Sequence, residues 1–154
     1  MLELLRPRDV PDLTEFLRQA DLTVAGLDAP TVRLWLRRDE GGIAASAGFE
    51  LSADGRHALI RSTAVRPDLR GGGAGLAVAA FAVDRAREAG ARTAWLFSRR
   101  SGPFWQRLGF TRAETSSLAA ALPDAQQVRL FARTGQLGRE IAWNLPLRDD
   151  PGQT

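Results

Sequence analysis

The sequence lacks cysteine, lysine and tyrosine, and it contains a single histidine, His57. Without cysteine it can form neither a disulfide nor a thiolate metal site, and a zinc site needs more nitrogen or sulfur ligands than one histidine supplies. We therefore expect that the functional site of this protein contains no metal ion. The absence of tyrosine also excludes any mechanism that uses a phenol as general acid.

Long apolar runs are missing as well. No stretch reaches the ~18 residues that a membrane-spanning helix needs, so we expect no membrane association through a span. The first ten residues, MLELLRPRDV, carry scattered charges rather than the apolar core of a secretory signal. Together with the absence of disulfide-forming residues, this pattern predicts a cytoplasmic protein.

All 21 basic residues of the 154-residue chain are arginines, and 18 acidic residues leave a net charge of only +3. The sequence pI of about 11.0 therefore reflects guanidinium chemistry as much as charge excess. A net charge this small gives no reason to expect a nucleic-acid partner. Length and composition predict one domain over residues 1–147, followed by a flexible tail over 148–154.

The spacing of apolar residues and turn signals predicts an α/β (α+β layered) fold. Three strands separated by the turns DEGG and SADG form an antiparallel meander, because such short loops allow no crossover. A strand, a helix and a strand then form a right-handed parallel crossover. Strands are predicted at 1–5, 32–37, 43–51, 57–65, 93–98 and 139–145. Helices are predicted at 10–20, 75–90, 101–109 and 117–133, the last interrupted by Pro123.

The segment RGGGAG, residues 70–75, opens the second of these helices. Glycine-rich loops at helix N-termini bind phosphates through free N–H groups. A nucleotide-binding P-loop requires a lysine, which the chain lacks. A dinucleotide fingerprint requires a third glycine where Leu76 stands, and it follows its strand directly, whereas five residues intervene here.

The third candidate pattern, Q/R-x-x-G-x-G/A, is fulfilled by Arg70, Gly73 and Gly75. The wider run AVRPDLRGGGAG, residues 64–75, resembles the V-x-P-x-x-R-G-x-G-x-G unit of the GNAT superfamily of N-acetyltransferases. The run PFWQRLGF, residues 103–110, resembles that superfamily's F-Y-x-x-x-G-F segment. Together with ALIRSTAV, residues 58–65, it is also similar to the small arsenic-resistance-type N-acetyltransferases. Some relatives of that type acetylate amino-acid-like toxins of the phosphinothricin class.

The resemblance implies a GNAT-like mixed, mostly antiparallel sheet with a splayed parallel strand pair and helices on both faces. It implies acetyl-CoA as co-substrate, with its pyrophosphate on the glycine loop and its pantetheine arm between the splayed strands. The tyrosine of the family's segment is replaced here by Trp105, which with Phe104 packs against the cofactor or the core. The implied cofactor-binding residues are Ala64, Val65, Arg70, Gly71, Gly72, Gly73, Ala74, Gly75, Phe104 and Trp105.

The acceptor side of the site rests on fewer signals. Glu50, late in a strand, is a weak candidate for the general base, with an exposed surface position as its alternative. Arg61 and Ser62 lie in mid-strand among apolar residues and are candidates for substrate binding. Arg61 either pairs with Glu50 across the strands or binds a substrate carboxylate bidentately, since a guanidinium is costly to bury unpaired.

The function predicted from these features is acetyl transfer from acetyl-CoA to the amine of a small, possibly amino-acid-like molecule in a ternary complex. Two alternatives stay open, a protein or peptide N-acetyltransferase and an acyl-CoA-binding sensor without catalysis. A homodimer is also possible, with the strand near 139–145 as its contact.

Overall fold

A computed structural model describes residues 1–148. The described residues form one seven-stranded sheet with the strand order β1-β2-β3-β4-β5-β7-β6. The strands are β1 (Glu3–Leu4), β2 (Val32–Asp39), β3 (Gly42–Leu51), β4 (His57–Val65), β5 (Thr93–Phe97), β6 (Thr111–Ala113) and β7 (Ala142–Pro146). The helices are α1 (Val10–Gln19), α2 (Ala74–Glu88), α3 (Gly102–Gln106), α4 (Thr115–Ala121) and α5 (Gln126–Thr134).

The meander and the crossover are confirmed. β2, β3 and β4 pair antiparallel in sequence order, and β4 pairs parallel with β5 after the α2 crossover. In β2 the buried residues alternate with more exposed ones, as the sequence pattern of Val32, Leu34 and Leu36 predicts. Every other strand pair in the sheet is antiparallel. The predicted fold class, a mixed and mostly antiparallel sheet with one parallel pair, is therefore correct.

One strand, β6, was not predicted, because its three residues are too few and too polar to show an alternating pattern. The interruption predicted at Pro123 is present, and the helical segment 117–133 forms two helices, α4 and α5. Pro123 separates them, because the residue before a proline is disfavoured in the helical conformation. Leu122 accordingly has φ −133° and ψ 54°.

The C-terminal strand β7 lies inside the sheet rather than at its edge. It pairs with β5 along its whole length and with β6 over Ala142 to Asn144. Its backbone over those three residues is therefore not free to pair with a second subunit. Residues 149–154 of the predicted tail lie outside the described residues, while Arg148 donates to the carbonyl oxygens of Ala91 and Arg87.

Helices cover both faces of the sheet. On one face, α2 packs Ala79 and Val83 against Phe49 and Ile60. The opposite face carries α1, which packs on β2, together with α4 and α5, which pack on Leu59 and Trp95. Among the described residues, no helix has both the length and the apolar character needed to cross a membrane.

Candidate functional site

The glycine loop leaves the first turn of α2 without side-chain partners. Gly73 is the N-cap of α2, and no side chain caps the helix there. Gly71 and Gly73 have φ of 87° and 86°, in the left-handed region that glycine adopts without strain. The space around the Cβ positions of residues 71–73 is nearly empty, with only the Leu69 carbonyl near Gly72, at 3.9 Å. The loop therefore presents the free N–H groups and positive end of a 15-residue helix to an anion.

Arg70 lies beside these N–H groups. Its Nε donates to the Val65 carbonyl oxygen at 3.2 Å, which fixes the guanidinium next to the end of β4. None of the ion pairs within residues 1–148 involves Arg70. A cation without an acidic partner, next to a helix N-terminus, is suited to an anionic ligand.

Strands β4 and β5 separate where the site begins. Their parallel pairing runs from His57–Thr93 to Leu59–Trp95, although β4 continues to Val65 and β5 to Phe97. Beyond Leu59 one edge of β4 has no strand partner, which leaves backbone N–H and C=O groups free. A cleft of about 420 Å³ lies between the two strands, within the size range of small-molecule sites. Ala64, Val65, Arg70 and Gly75 line it.

Helix α3 forms another wall of this cleft and brings the second sequence motif to the first. Phe104 lies over the start of α2, with its Cε2 3.4 Å from the Cβ position of Gly75. Trp105 lines the cleft as well, but it is only 7% exposed and stacks edge-on against Phe104 and Phe110 at 5.0 and 5.5 Å between ring centroids. Trp105 therefore contributes to the core and to the cleft together.

Strand β4 bulges at the cleft. Ser46 pairs with Ala64 and Gly48 with Arg61, so two residues of β4 stand opposite one of β3. Ser62, one of the two, has φ 58°, which is unusual for a residue other than glycine. The fully buried Ser46 hydroxyl donates to the Ser62 carbonyl oxygen at 2.7 Å. This hydrogen bond holds the bulge and so directs the β4 backbone at the cleft.

Arg61 is a buried cation that forms no ion pair with any residue of the described range 1–148. The residue is 3% exposed, and its Nε donates to the Ser62 hydroxyl at 3.1 Å. Its Nη1 and Nη2 are buried and have no hydrogen-bond partner among the described residues. Burial lowers the pKa of the guanidinium to about 10, although Glu50 opposes the shift. Arg61 is one of the residues that line the cleft.

Glu50 lies on the same sheet face as Arg61 but is bonded elsewhere. Its Oε2 accepts from the Thr31 hydroxyl at 2.9 Å, and its Oε1 accepts from the Gln126 N–H at 2.8 Å. Glu50 is 1% exposed, so its predicted alternative as an exposed strand-end residue is wrong. It is absent from the residues that line the cleft, and its carboxylate binds the N-terminus of α5 instead. The predicted ion pair with Arg61 does not form.

Sequence reasoning missed a second cleft, of about 510 Å³, between α5, the end of β5 and the loop after α1. It adjoins the first, because six residues line both clefts. These residues are Ala20, Leu22, Phe97, Ser98, Ser101 and Gln127. Glu140 also lines the second cleft, and its side chain is only 8% exposed. No local motif marks Glu140, because the cleft is assembled from four separate segments. Residues 1–148 contain no cluster of metal-ligating side chains.

The mixed sheet, with its single parallel pair separating at the cleft and the glycine loop at the start of α2, has the arrangement of the GNAT fold. The Acetyltransferase (GNAT) family matches residues 2–110, more than half of the chain. The protein therefore belongs to the GNAT family of acetyltransferases. No curated protein matches its sequence significantly.

Solved structures agree in fold. The Mycobacterium tuberculosis protein Rv2747, in complex with CoA, is 17% identical and has a TM-score of 0.73, with 96% of this chain and 99% of that chain covered. The ribosomal-protein-S18-alanine N-acetyltransferase of Escherichia coli is 20% identical, with a TM-score of 0.65 and coverage of 100% and 99%. Such low identities show the fold alone.

N-acetylglutamate synthase from Neisseria gonorrhoeae, complexed with coenzyme A and N-acetyl-glutamate, is 16% identical and has a TM-score of 0.71. The match covers 97% of this chain, which spans only 36% of the length of that synthase. Several neighbours with this fold are thus described with bound coenzyme A.

Proposed function

We propose that the protein transfers the acetyl group of acetyl-CoA directly to the amine of a small, amino-acid-like acceptor in a ternary complex. The observation that supports the proposal is that three binding features lie next to one another in the same cleft. An uncapped helix N-terminus stands at one end, and an unpaired strand edge runs from it to a buried guanidinium. A pyrophosphate, an extended amide chain and a carboxylate fit these three features in turn.

The donor side uses backbone groups. N–H groups of residues 71–75 and the Arg70 guanidinium bind the pyrophosphate, while β4 near Ala64 and Val65 pairs with the pantetheine amides. Phe104 and Trp105 close the cleft on the α3 side. Backbone N–H groups at the bulge of β4 polarise the thioester oxygen, where negative charge develops in the transition state.

The acceptor side uses side chains. A carboxylate bound bidentately by Nη1 and Nη2 of Arg61, with the Ser62 hydroxyl nearby, gives that buried cation the partner that the described residues do not supply. Because Arg61 adjoins the bulge in sequence, a carboxylate held there leaves an amine on the neighbouring carbon close to the thioester. An α-amino carboxylate satisfies both constraints, and holding the two reactants in register supplies much of the rate enhancement.

In the transfer, the neutral amine nitrogen attacks the thioester carbonyl carbon, the carbon–sulfur bond breaks, and coenzyme A leaves as a thiolate. The amine proton passes to water, because both Glu50 oxygens already accept hydrogen bonds. With no tyrosine in the chain, the thiolate is protonated from solvent.

Thiol release from acetyl-CoA tests the proposal across a panel of amines. The panel contains α-amino acids, phosphinothricin-like amino acids, the corresponding carboxamides, aminoglycosides and a peptide with a free N-terminus. We expect turnover on α-amino acids and little on their carboxamides. Preferred turnover on the peptide favours the protein N-acetyltransferase alternative. Cofactor binding without turnover on any amine favours the sensor, and the absence of cofactor binding contradicts both.

A further inference from the structure

The second cleft holds a carboxylate with one oxygen in use and one without a partner. Oε1 of Glu140 accepts from Nε2 of Gln136 at 2.9 Å, and Arg99 Nε lies 3.5 Å from the same oxygen. No donor within residues 1–148 contacts Oε2. The Glu140 side chain is largely buried, yet the residue lines the cleft. Oε2 therefore stays available to accept a hydrogen bond from a ligand in the cleft.

Glu140 is also held firmly by the backbone. It follows the 3₁₀ turn Gln136–Arg139 and precedes β7, and its carbonyl oxygen accepts from the Thr115 hydroxyl at 3.2 Å. The next residue, Ile141, accepts from the Ser98 N–H at 2.9 Å, which ties this segment to the end of β5. A carboxylate on a fixed backbone keeps its direction and can therefore discriminate between ligands.

The position of Glu140 relates it to the first cleft. The residues shared by the two clefts form the passage between them, and Gln127 on α5 is one of these. For an acceptor bound as proposed above, with its carboxylate at Arg61, this passage is the space next to the first cleft that its side chain could enter. Glu140 lies in the wall of that space.

We infer that Glu140 is a specificity determinant of the acceptor site. The acceptor is an α-amino acid whose side chain ends in a hydrogen-bond donor, an amide or an ammonium, which Oε2 of Glu140 accepts. This inference rests on the proposed function and specifies its substrate class. We do not expect Arg99 to favour acceptors with a negatively charged side chain, because Arg99 is half exposed and already faces the Glu140 carboxylate.

Two isosteric pairs of acceptors test the inference. L-Glutamine differs from L-glutamate, and L-lysine from L-2-aminoheptanoic acid, mainly in the donor at the end of the side chain. We expect kcat/KM for the donor-bearing member of at least one pair to exceed that of its isostere roughly 10- to 100-fold, the range for a hydrogen bond to a charged group. The glutamine pair reports an amide acceptor and the lysine pair an ammonium acceptor.

Glu140→Gln assigns the preference to this residue, because it keeps the shape and the Oε1 contacts while it removes the charge and replaces the free oxygen with a donor. We expect the ratio within the preferred pair to fall close to one, with KM for acetyl-CoA unchanged. Asp124→Asn, which breaks an exposed ion pair with Arg129 outside the clefts, is the matched control and keeps the wild-type ratio. Ratios equal in wild type and Glu140→Gln overturn the inference.

Calorimetric binding of the same four amino acids to the protein loaded with CoA separates this inference from the proposed function. Glu140-dependent binding without acetyl transfer contradicts the proposed function and retains the specificity role. Acetyl transfer that does not depend on Glu140 supports the proposed function and contradicts the specificity role of Glu140. Binding that does not discriminate within either pair contradicts the inference even if a variant fails to fold.

Discussion

The donor and acceptor sides of the cleft are built by different means. The proposed donor side comes mainly from one contiguous segment, residues 64–75, with backbone N–H groups at the start of α2, and α3 closes it. The proposed acceptor side consists of side chains from distant segments, with Arg61 on β4, Gln127 on α5 and Glu140 before β7. A site built from backbone groups needs glycines at fixed spacing, so it can be recognised from a local sequence motif. A site built from side chains depends on which segments the fold brings together, so no local motif predicts it.

A negative charge on the glycine loop tests the donor side and should have the largest effect. Gly72 lies outside the left-handed region, unlike its two neighbours, so Gly72→Glu adds charge without backbone strain. Repulsion from a pyrophosphate about 5 Å away costs about 3 kcal/mol at a surface-like dielectric constant, so we expect roughly a hundredfold weaker acetyl-CoA binding. Calorimetry measures the affinity, and thermal unfolding should show an unchanged fold.

Gly72→Gln is the control for this variant, because it adds the same bulk without the charge. It should bind acetyl-CoA within a few-fold of wild type. Equal weakening in both variants indicates a steric effect instead, and unchanged affinity in Gly72→Glu contradicts the location of the pyrophosphate.

The glycine loop and the helix start could be predicted from the sequence because each structural requirement there is local. The positive φ of Gly71 and Gly73 and the start of α2 next to them all follow from the run RGGGAG. On the acceptor side the sequence singled out Arg61 but left its partner open. The structure excludes Glu50 as that partner, because its two oxygens accept hydrogen bonds from Thr31 and Gln126 instead. These residues lie 19 and 76 positions away in the sequence, so no local pattern predicts the contacts.

Removal of the buried cation tests the acceptor side. Arg61→Met removes the charge and leaves an unbranched apolar side chain that is two atoms shorter than arginine. With acceptors that carry a carboxylate, we expect kcat/KM to fall roughly thirtyfold through loss of charge-assisted hydrogen bonds, with KM for acetyl-CoA unchanged. A carboxamide acceptor, already poor in wild type, should lose much less.

The same variant should be more stable than wild type. The pKa of Arg61, lowered to about 10 by burial, corresponds to about 3 kcal/mol for keeping the guanidinium charged in the fold. An apolar replacement of similar volume removes that cost, so we expect the free energy of unfolding to rise by about 1–3 kcal/mol. Urea denaturation measures it. Lower stability indicates instead that Arg61 is a structural partner of Glu50.

Glu50→Gln separates a structural role from a catalytic one. The amide still accepts from the Gln126 N–H, but it loses the charge at the N-terminus of α5. We expect a loss of about 1 kcal/mol in the free energy of unfolding and an unchanged pH profile of kcat/KM. Disappearance of the acidic limb of that profile in the variant would restore Glu50 as the general base.

The ion pair next to the donor loop should give the smallest effect. Arg66 directs Nη1 and Nη2 at the two Asp39 oxygens, at 2.8 and 2.7 Å, and so ties the β2–β3 hairpin to the chain that enters the glycine loop. Arg66, assisted by the Gly41 N–H, lowers the pKa of Asp39 from 3.8 to about 2. Because the folded pKa is the lower one, this stabilisation is complete above about pH 4 and is lost as the pH falls toward 2.

Asp39→Asn should therefore be less stable than wild type at pH 5, and the two should converge as the pH falls to 2. Urea midpoints across this range measure the convergence. Arg66, which also bonds Asp68, lowers the pKa of Asp68 and the Asp39 charge opposes this shift, so the difference between the two proteins includes a contribution from Asp68. Both side chains are partly exposed, so the difference is small and decreases with added salt. Acetyl-CoA affinity should change less than twofold, because the backbone donors of the loop do not depend on this ion pair. A tenfold loss of affinity would instead make the donor side as dependent on distant side chains as the acceptor side.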